Sequence, residues 1–228
     1  MGQATKKIEV SRDTRTAALA EAVHSFRLDF KCKVHPFGSW NGNDKHPLAR
    51  GGVATATDDR AEIDQRFSNP RATGFAVYPG DFLVVDCDVS EGKDGIAELG
   101  KLAAAHGEKL PVTAFVTSPR GNGSGHLYFN IPEGAVIPSS NGKIAPGVDI
   151  RGNDGKYWIA GPGSRTSKGE YKWVRGPEQM IDAPAWLLEA IQLAAVGKPK
   201  QGSGKTRKTS NSGDAREDYG TPIDWDAE

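Results

Sequence analysis

The sequence predicts an α+β fold in which an antiparallel or mixed sheet carries helices on one side. Two observations lead to this prediction. Segments with helical periodicity lie near both ends and in the middle of the 228-residue chain, and short apolar runs typical of strands lie between them. No period of roughly 20–50 residues repeats, which excludes a solenoid.

Two helices are predicted in the first third of the chain. Residues 14–30 place Leu19, Val23 and Phe26 on one helical face. Residues 57–67 begin with a threonine followed by two aspartates, and acidic residues interact favourably with the positive end of a helix dipole. We therefore expect a short helix over the second segment.

The extended part of this first region is predicted to be small. Residues 33–52 hold too many prolines and glycines for a regular element and are predicted to be irregular. The apolar residues 75–78 and 82–86 are predicted to pair as a hairpin around Pro79-Gly80.

Two helices and four strands are predicted in the second half. The predicted helices are 95–106, which ends near Gly107, and 183–195. The predicted strands are 112–118, 126–131, 147–152 and 156–161. A glycine-rich loop separates the first two strands.

Composition divides the chain into three parts. We expect residues 1–13 to form an N-terminal extension, residues 14–196 to form one folded domain, and residues 197–228 to be a disordered tail. The tail has almost no apolar residues, and its charge is basic in 197–208 and acidic in 214–228.

Charge and cysteine content exclude several classes of protein. Lys plus Arg and Asp plus Glu both number 29, so any binding of nucleic acid must depend on a local basic surface. Two cysteines are too few for a disulfide framework or a structural zinc cluster. No apolar run approaches the ~20 residues of a membrane span. We therefore expect a cytoplasmic protein with no membrane partner and no zinc.

A pair of acids follows the most apolar predicted strand. Asp86 and Asp88 are separated only by Cys87, and because strand side chains alternate, both carboxylates are predicted on one face. Their Cα atoms would lie about 6.6 Å apart, since a strand rises ~3.3 Å per residue. This spacing allows both to bind divalent cations, although a solvated turn after a strand is also consistent with it.

Two further segments carry residues suited to phosphate chemistry. A glycine-rich loop brings Ser124 and His126 to the start of an apolar strand, where both could donate hydrogen bonds to phosphate. Asp149 and Arg151 alternate with apolar residues and so share a strand face. Taken singly, these could be an ordinary hairpin loop and a surface ion pair.

Taken together, these residues favour phosphoryl or nucleotidyl transfer. Asp86, Asp88 and Asp149 could hold two divalent metals, and the remaining side chains, namely Ser124, His126 and Arg151, could neutralise a polyphosphate.

These segments resemble the motifs of a known family. The sequence is similar to the primase-polymerase (Prim-Pol) domain of the archaeo-eukaryotic primase superfamily, in the branch of bifunctional DNA primase/polymerase N-terminal domains found in plasmids, phages and prophages. The resemblance covers roughly residues 15–192. Its motifs correspond here to residues 45–47 with 56–57, 86–88, 123–129, 147–152 and 186–188. Gly163 and Thr166 depart from the family pattern, at positions of a secondary contact.

The resemblance implies a fold, an activity and a set of roles. It implies an α+β catalytic core like an RNA-recognition-motif sheet, with a small N-terminal α/β subdomain. The implied reaction is template-directed nucleotide addition in phage, plasmid or prophage DNA replication. Asp86, Asp88 and Asp149 would bind Mg²⁺ or Mn²⁺ at a two-metal site. The nucleotide would be held by Ser124, His126 and Arg151, and by Lys45 unless that residue is an ordinary surface lysine.

The implied partners are a single-stranded DNA template, nucleoside triphosphates and a replicative helicase acting in trans. Two other functions are compatible with the residues alone. A metal-dependent nuclease also uses carboxylates on a sheet, but it has no need to grip a triphosphate. A non-catalytic replication initiator that binds DNA or nucleotides would have no use for three clustered acids.

Overall fold

A computed structural model describes residues 12–49 and 51–196. The predicted extension and tail therefore lie wholly or largely outside the described residues. The helices are α1 (Arg12–Asp29), α2 (Arg60–Phe67), α3 (Gly95–Ala105) and α4 (Ala185–Val196). No helix in this described part is long and apolar enough to cross a membrane.

These four helices confirm the four predicted from the sequence. At the start of α2, the Asp59 carboxylate accepts a hydrogen bond from the Glu62 N–H at 2.9 Å, and Asp94 caps α3 in the same way through Ala97. Gly107 has a φ of 75° just after α3, a conformation that favours glycine at the end of a helix.

The strands form two main sheets. In chain order they are β1 (Cys32–Trp40), β2 (Asn43–Pro47), β3 (Gly74–Pro79), β4 (Phe82–Cys87), β5 (Val89–Ser90), β6 (Lys93–Asp94), β7 (Ala114–Thr117), β8 (Gly125–Asn130), β9 (Ser140–Ala145), β10 (Val148–Arg151), β11 (Ile159–Ala160), β12 (Arg165–Thr166), β13 (Gly169–Glu170), β14 (Lys172–Arg175) and β15 (Ile181–Asp182). The four-stranded sheet has the order β11-β3-β1-β2. The seven-stranded sheet has the order β14-β7-β8-β4-β10-β9, with β15 parallel to β8 and every other pair antiparallel. The fold class is therefore α+β, as predicted.

The prediction that residues 33–52 are irregular is wrong, because β1 and β2 form a hairpin there. Asn41 and Gly42 make its turn with φ values of 47° and 81°, the conformation that a tight hairpin turn requires. Pro36 has no N–H to donate, but its carbonyl accepts a hydrogen bond from the Leu48 N–H at 3.0 Å.

The predicted hairpin around Pro79-Gly80 is also wrong. The strand β3 pairs with β1 and β11, whereas β4 pairs with β8 and β10 in the other sheet. Gly80 crosses between the sheets against the backbone of Lys31, where a Cβ would lie 2.0 Å from the carbonyl oxygen. The connection is therefore a close crossing of two chain segments that only glycine fits.

Helices cover both faces of the seven-stranded sheet, which corrects the expectation of helices on one side. Phe82 and Val84 of β4 pack into a core with α1 and α2, whereas Leu83 and Val85 pack into a second core with α3 and α4. Cys87 also lies in the second core, as a small buried residue. The strand β4 is apolar on both faces because both are buried, and it becomes polar only at Asp86.

Phe26 of α1 joins the two sheets. Its ring contacts Phe75 of the four-stranded sheet and Phe82 and Tyr128 of the seven-stranded sheet, at centroid distances of 5.7–6.3 Å. We expect Phe26→Ala to lower the free energy of unfolding by about 3–5 kcal/mol, since it leaves a cavity in a closed core. Leu28→Ala on the same helix is the control, because Leu28 is 83 % exposed. If urea denaturation showed that both variants lose the same free energy of unfolding, the role of Phe26 would be contradicted.

Candidate active site

Three of the predicted residues lie side by side across the middle of the seven-stranded sheet. The register pairs Asp86 of β4 with His126 of β8 on one side and with Asp149 of β10 on the other. Directly opposite residues of antiparallel strands have Cβ atoms about 4.5–5.5 Å apart. The antiparallel pairing therefore assembles a row, His126–Asp86–Asp149, from segments that are far apart in the sequence.

Arg151 closes this row on the side of β10. Its Nη2 donates to Asp149 Oδ2 at 2.9 Å and to Asp86 Oδ2 at 3.5 Å, and its Nη1 donates to Asn141 Oδ1 at 2.5 Å. The other oxygen of Asp149 accepts a hydrogen bond from the Gly142 N–H at 2.8 Å. The Arg151 side chain is 13 % exposed. The predicted pair of Asp149 and Arg151 is therefore partly buried and bridges two strands.

Asp86 is held in an environment that opposes its negative charge. Burial raises the pKa of Asp86 to about 6, and repulsion from the nearby Asp88 also raises this pKa, whereas Arg151 and Lys45 lower it. Any additional positive charge nearby would stabilise the ionised form of this carboxyl group. This is the electrostatic state expected of a residue that binds a cation.

His126 is the member of the row on β8, and it is buried and uncharged. Its Nε2 is 3.7 Å from Asp86 Oδ1, and its ring stacks on Tyr171 at 5.3 Å. Burial, aided by Lys45 and Arg151, lowers the pKa of His126 to about 3, so the imidazole is neutral at pH 7. Its Nδ1 is buried without a hydrogen-bond partner among the described residues. A neutral imidazole can offer an N–H to a phosphate oxygen without adding charge.

Lys45 reaches the same site from the other sheet. Its Nζ lies 3.5 Å from the Tyr171 hydroxyl and 5.8 Å from the ring centroid of Trp158. The two aromatic residues were not predicted to belong to the site. Each lies in a short strand or loop without a motif, so only the tertiary structure shows that they position Lys45 and His126.

Asp88 lies one residue beyond β4, and its backbone is fixed by two glycines. Its N–H donates to the Gly147 carbonyl at 2.8 Å, and its carbonyl accepts from the Gly95 N–H at 3.0 Å. A Cβ on Gly95 would lie 2.2 Å from the Gly147 oxygen, so the close approach requires glycine. The Asp88 carboxylate pairs with Arg120 at 2.7 Å, a partner that was not predicted although Arg120 lies in the glycine-rich loop.

Ser124 has a different environment from the other predicted residues. It is buried, and its Oγ accepts a hydrogen bond from the Val89 N–H at 2.8 Å. This contact ties the glycine-rich loop to the segment that follows Asp88. The role of Ser124 in binding a triphosphate stays a prediction.

The three acids match divalent cations in chemistry but are paired with arginines. Carboxylate oxygens are the ligands that Mg²⁺ and Mn²⁺ prefer. Within residues 12–49 and 51–196, however, no three His, Cys, Asp or Glu residues are grouped in a way that could hold a metal ion. Asp86 and Asp149 are arranged around Arg151, and Asp88 around Arg120. The donor set therefore suits these cations, which must compete with two guanidinium groups.

The cavities of the described residues differ in where they lie relative to the acids. One of about 340 Å³ opens beside Asp88 and Asp149 and is also lined by Arg120 and Lys93. A larger cavity of about 650 Å³ lies near Tyr78 and contains none of the predicted site residues. Position relative to the acids, and not volume, identifies the smaller cavity as part of the candidate site.

One of two comparisons with known proteins identifies a family. No curated protein matches the chain. Residues 20–186 match the family model of Prim-Pol, described as bifunctional DNA primase/polymerase, N-terminal. The match covers most of the chain and includes every residue of the row, which confirms the resemblance found in the motifs, and it suggests DNA primase/polymerase activity. The chain belongs to the Prim-Pol family.

Proposed function

We propose that this protein adds nucleotides to a 3′-hydroxyl on a single-stranded DNA template, as a primase-polymerase of phage, plasmid or prophage replication. The observation that carries the proposal is the row His126–Asp86–Asp149, with Asp88 beside it, in a chain of the Prim-Pol family. The seven-stranded sheet would be the catalytic core. The four-stranded sheet with α1 and α2 would be the N-terminal subdomain.

In this proposal Asp86, Asp88 and Asp149 are the catalytic residues and hold Mg²⁺ or Mn²⁺. Cations bound there would activate the attacking hydroxyl and neutralise the leaving pyrophosphate. The raised pKa of Asp86 supports this role, because a positive charge at the site relieves the cost of its ionisation.

The remaining predicted residues would hold the incoming nucleoside triphosphate. Arg151 presents a positively charged, planar donor group suited to phosphate. Lys45 adds a second positive charge from the facing sheet, and His126 a neutral donor. Ser124 would contribute its hydroxyl or position the loop. The template is single-stranded DNA, and a replicative helicase acting in trans would expose it.

Primer extension tests the proposal directly. The full chain would be incubated with a primed single-stranded template, ribo- or deoxyribonucleoside triphosphates, and Mg²⁺, Mn²⁺ or EDTA. We expect products longer than the primer only with the metals. Shortening of the template would instead identify a nuclease, and DNA or nucleotide binding without extension would identify a non-catalytic initiator.

His126 provides a further prediction about the nucleotide. His126→Ala removes a neutral donor from the row, so we expect nucleoside triphosphate affinity to fall roughly fivefold while single-stranded DNA affinity changes little, since one hydrogen bond contributes about 1 kcal/mol. His106→Ala, at the exposed end of α3, makes the same chemical change outside the row. Titrations of both ligands, with thermal melts, provide the measurement. Equal losses of both affinities would assign His126 to the fold or to DNA.

A further inference from the structure

Two positively charged side chains outside the predicted set face the cavity beside the row. Lys93 lies in β6, within the β5–β6 hairpin that follows Asp88, and it is exposed. Arg120 lies in the connection between β7 and β8, and its side chain is 45 % exposed. Together with Asp88 and Asp149 they line the cavity of about 340 Å³.

These two cations differ in how their charges are balanced. Arg120 donates to Asp88 at 2.7 Å, so its charge is matched in this state of the protein. Lys93 forms no ion pair with any of the described residues. Across the cavity, Asp149 is matched by Arg151 and by the Gly142 N–H. The lining therefore holds two acids and two cations, and the cavity becomes positive when Asp88 binds a divalent cation in place of Arg120.

The residues predicted to bind the nucleotide do not supply enough positive charge for a triphosphate. Ser124 accepts a hydrogen bond from the Val89 N–H, and His126 is buried next to Asp86. Arg151 is shared by two carboxylates. A triphosphate carries several negative charges that these groups do not fully balance. Additional cations next to the acids would hold its outer phosphates.

We propose that Arg120 and Lys93 form a subsite for the two outer phosphates of the incoming nucleoside triphosphate, which leave as pyrophosphate. The inference rests on the proposed function, because it places the leaving group beside Asp88 and Asp149. The volume lies near the lower end of ordinary ligand pockets, ~300–1,000 Å³. A DNA strand needs an extended groove with stacking surfaces, so the concave shape favours a phosphate group over the template.

Arg120 has two successive partners in this proposal. In the structure it pairs with the Asp88 carboxylate. When Asp88 binds a cation, the guanidinium loses its partner and turns to the phosphates in the same cavity. Arginine suits this exchange because its planar donor group matches carboxylate and phosphate alike.

The test compares ligands that have the outer phosphates with a ligand that lacks them. Binding of inorganic tripolyphosphate, a nucleoside triphosphate and a nucleoside monophosphate would be measured by calorimetry with the full chain in excess Mg²⁺. We expect Arg120→Ala and Lys93→Ala each to weaken the first two ligands about tenfold, the loss of one charge-assisted hydrogen bond, and to leave the monophosphate unchanged. Arg60→Ala on α2 and Lys101→Ala on α3 remove exposed charges outside the cavity and should change nothing.

The outcomes separate this inference from the proposed function. Unchanged tripolyphosphate binding in both cavity variants, in a protein that extends primers, would overturn the subsite alone. Selective loss of tripolyphosphate binding in a protein that extends no primer would support the subsite and contradict the proposed function. A parallel loss of single-stranded DNA binding would overturn the subsite and assign the two cations to the template. Thermal melts of each variant exclude loss of folding as the cause.

Discussion

Asp86→Asn should abolish nucleotide addition and, at the same time, stabilise the metal-free protein at neutral pH. Activity is lost because the central carboxylate of the row is replaced by a neutral amide, which binds a divalent cation far more weakly. Stability rises because the amide removes a negative charge that burial and Asp88 both oppose. A variant that is inactive yet more stable separates a functional role from damage to the fold.

The pH dependence follows from the direction of the pKa shift. The pKa of Asp86 is about 6 in the folded protein, against an ordinary value of 3.8. Between these values the native state holds a proton that the unfolded state has released, so wild-type stability falls as pH rises through this range. At pH 7 the variant should therefore be more stable, by about 3 kcal/mol at most. Below about pH 4 the difference should vanish.

Denaturation in EDTA at pH 4 and pH 7, together with primer extension, measures both effects. Asp81→Asn is the control, since Asp81 is an exposed acid at the opposite end of β4 and should alter neither stability nor activity by much. Full primer extension by Asp86→Asn would end the assignment of Asp86 as a metal ligand. A loss of stability at pH 7 would show that its carboxylate supports the fold.

Local signals predicted the parts of the fold that depend on neighbouring residues. Helix α2 was predictable because its first turn is acidic and capped by Asp59, and β4 because Phe82 to Val85 are continuously apolar. The β1–β2 hairpin also had a local signal in Asn41-Gly42, which the density of proline and glycine around it obscured. Strand β9 had none, since its residues, 140–145, include only two apolar side chains and none of the six is buried.

The candidate site was likewise predictable only in part. Motifs identified Asp86, His126 and Asp149, but only the register of β8, β4 and β10 places them opposite one another. The partners of these residues were not predictable, because an ion pair such as that of Asp88 with Arg120 joins positions 32 residues apart through a loop. Tyr171 lies between β13 and β14. Its ring contacts His126 only because this part of the chain returns to the start of β8. Pairing over long distances in sequence leaves no local pattern.

Arg151→Ala should destabilise the metal-free protein and make it unusually responsive to Mn²⁺. Arg151 is the shared counterion of Asp86 and Asp149, so its removal leaves two carboxylates on neighbouring strands without a positive charge between them. Removing one partner of a buried ion pair costs about 3–5 kcal/mol. Since this site retains some exposure, we expect a loss on the order of 3 kcal/mol. Arg151→Lys should lose less, because it retains the charge without the planar donor group.

The response to metal distinguishes a counterion from a simple structural contact. If Asp86 and Asp149 bind a divalent cation, Mn²⁺ should replace the missing guanidinium and recover most of the lost stability, with a larger rise in melting temperature than in the wild type. Nucleotide addition should stay low even in Mn²⁺, because Arg151 is also a proposed phosphate ligand. Arg165→Ala, which removes an exposed ion pair with Glu170, should change stability by less than about 1 kcal/mol and show the wild-type response. Melting curves in EDTA and in Mn²⁺ provide the comparison. An Arg151→Ala protein that gains no more from Mn²⁺ than the wild type would show that these two carboxylates do not share a cation.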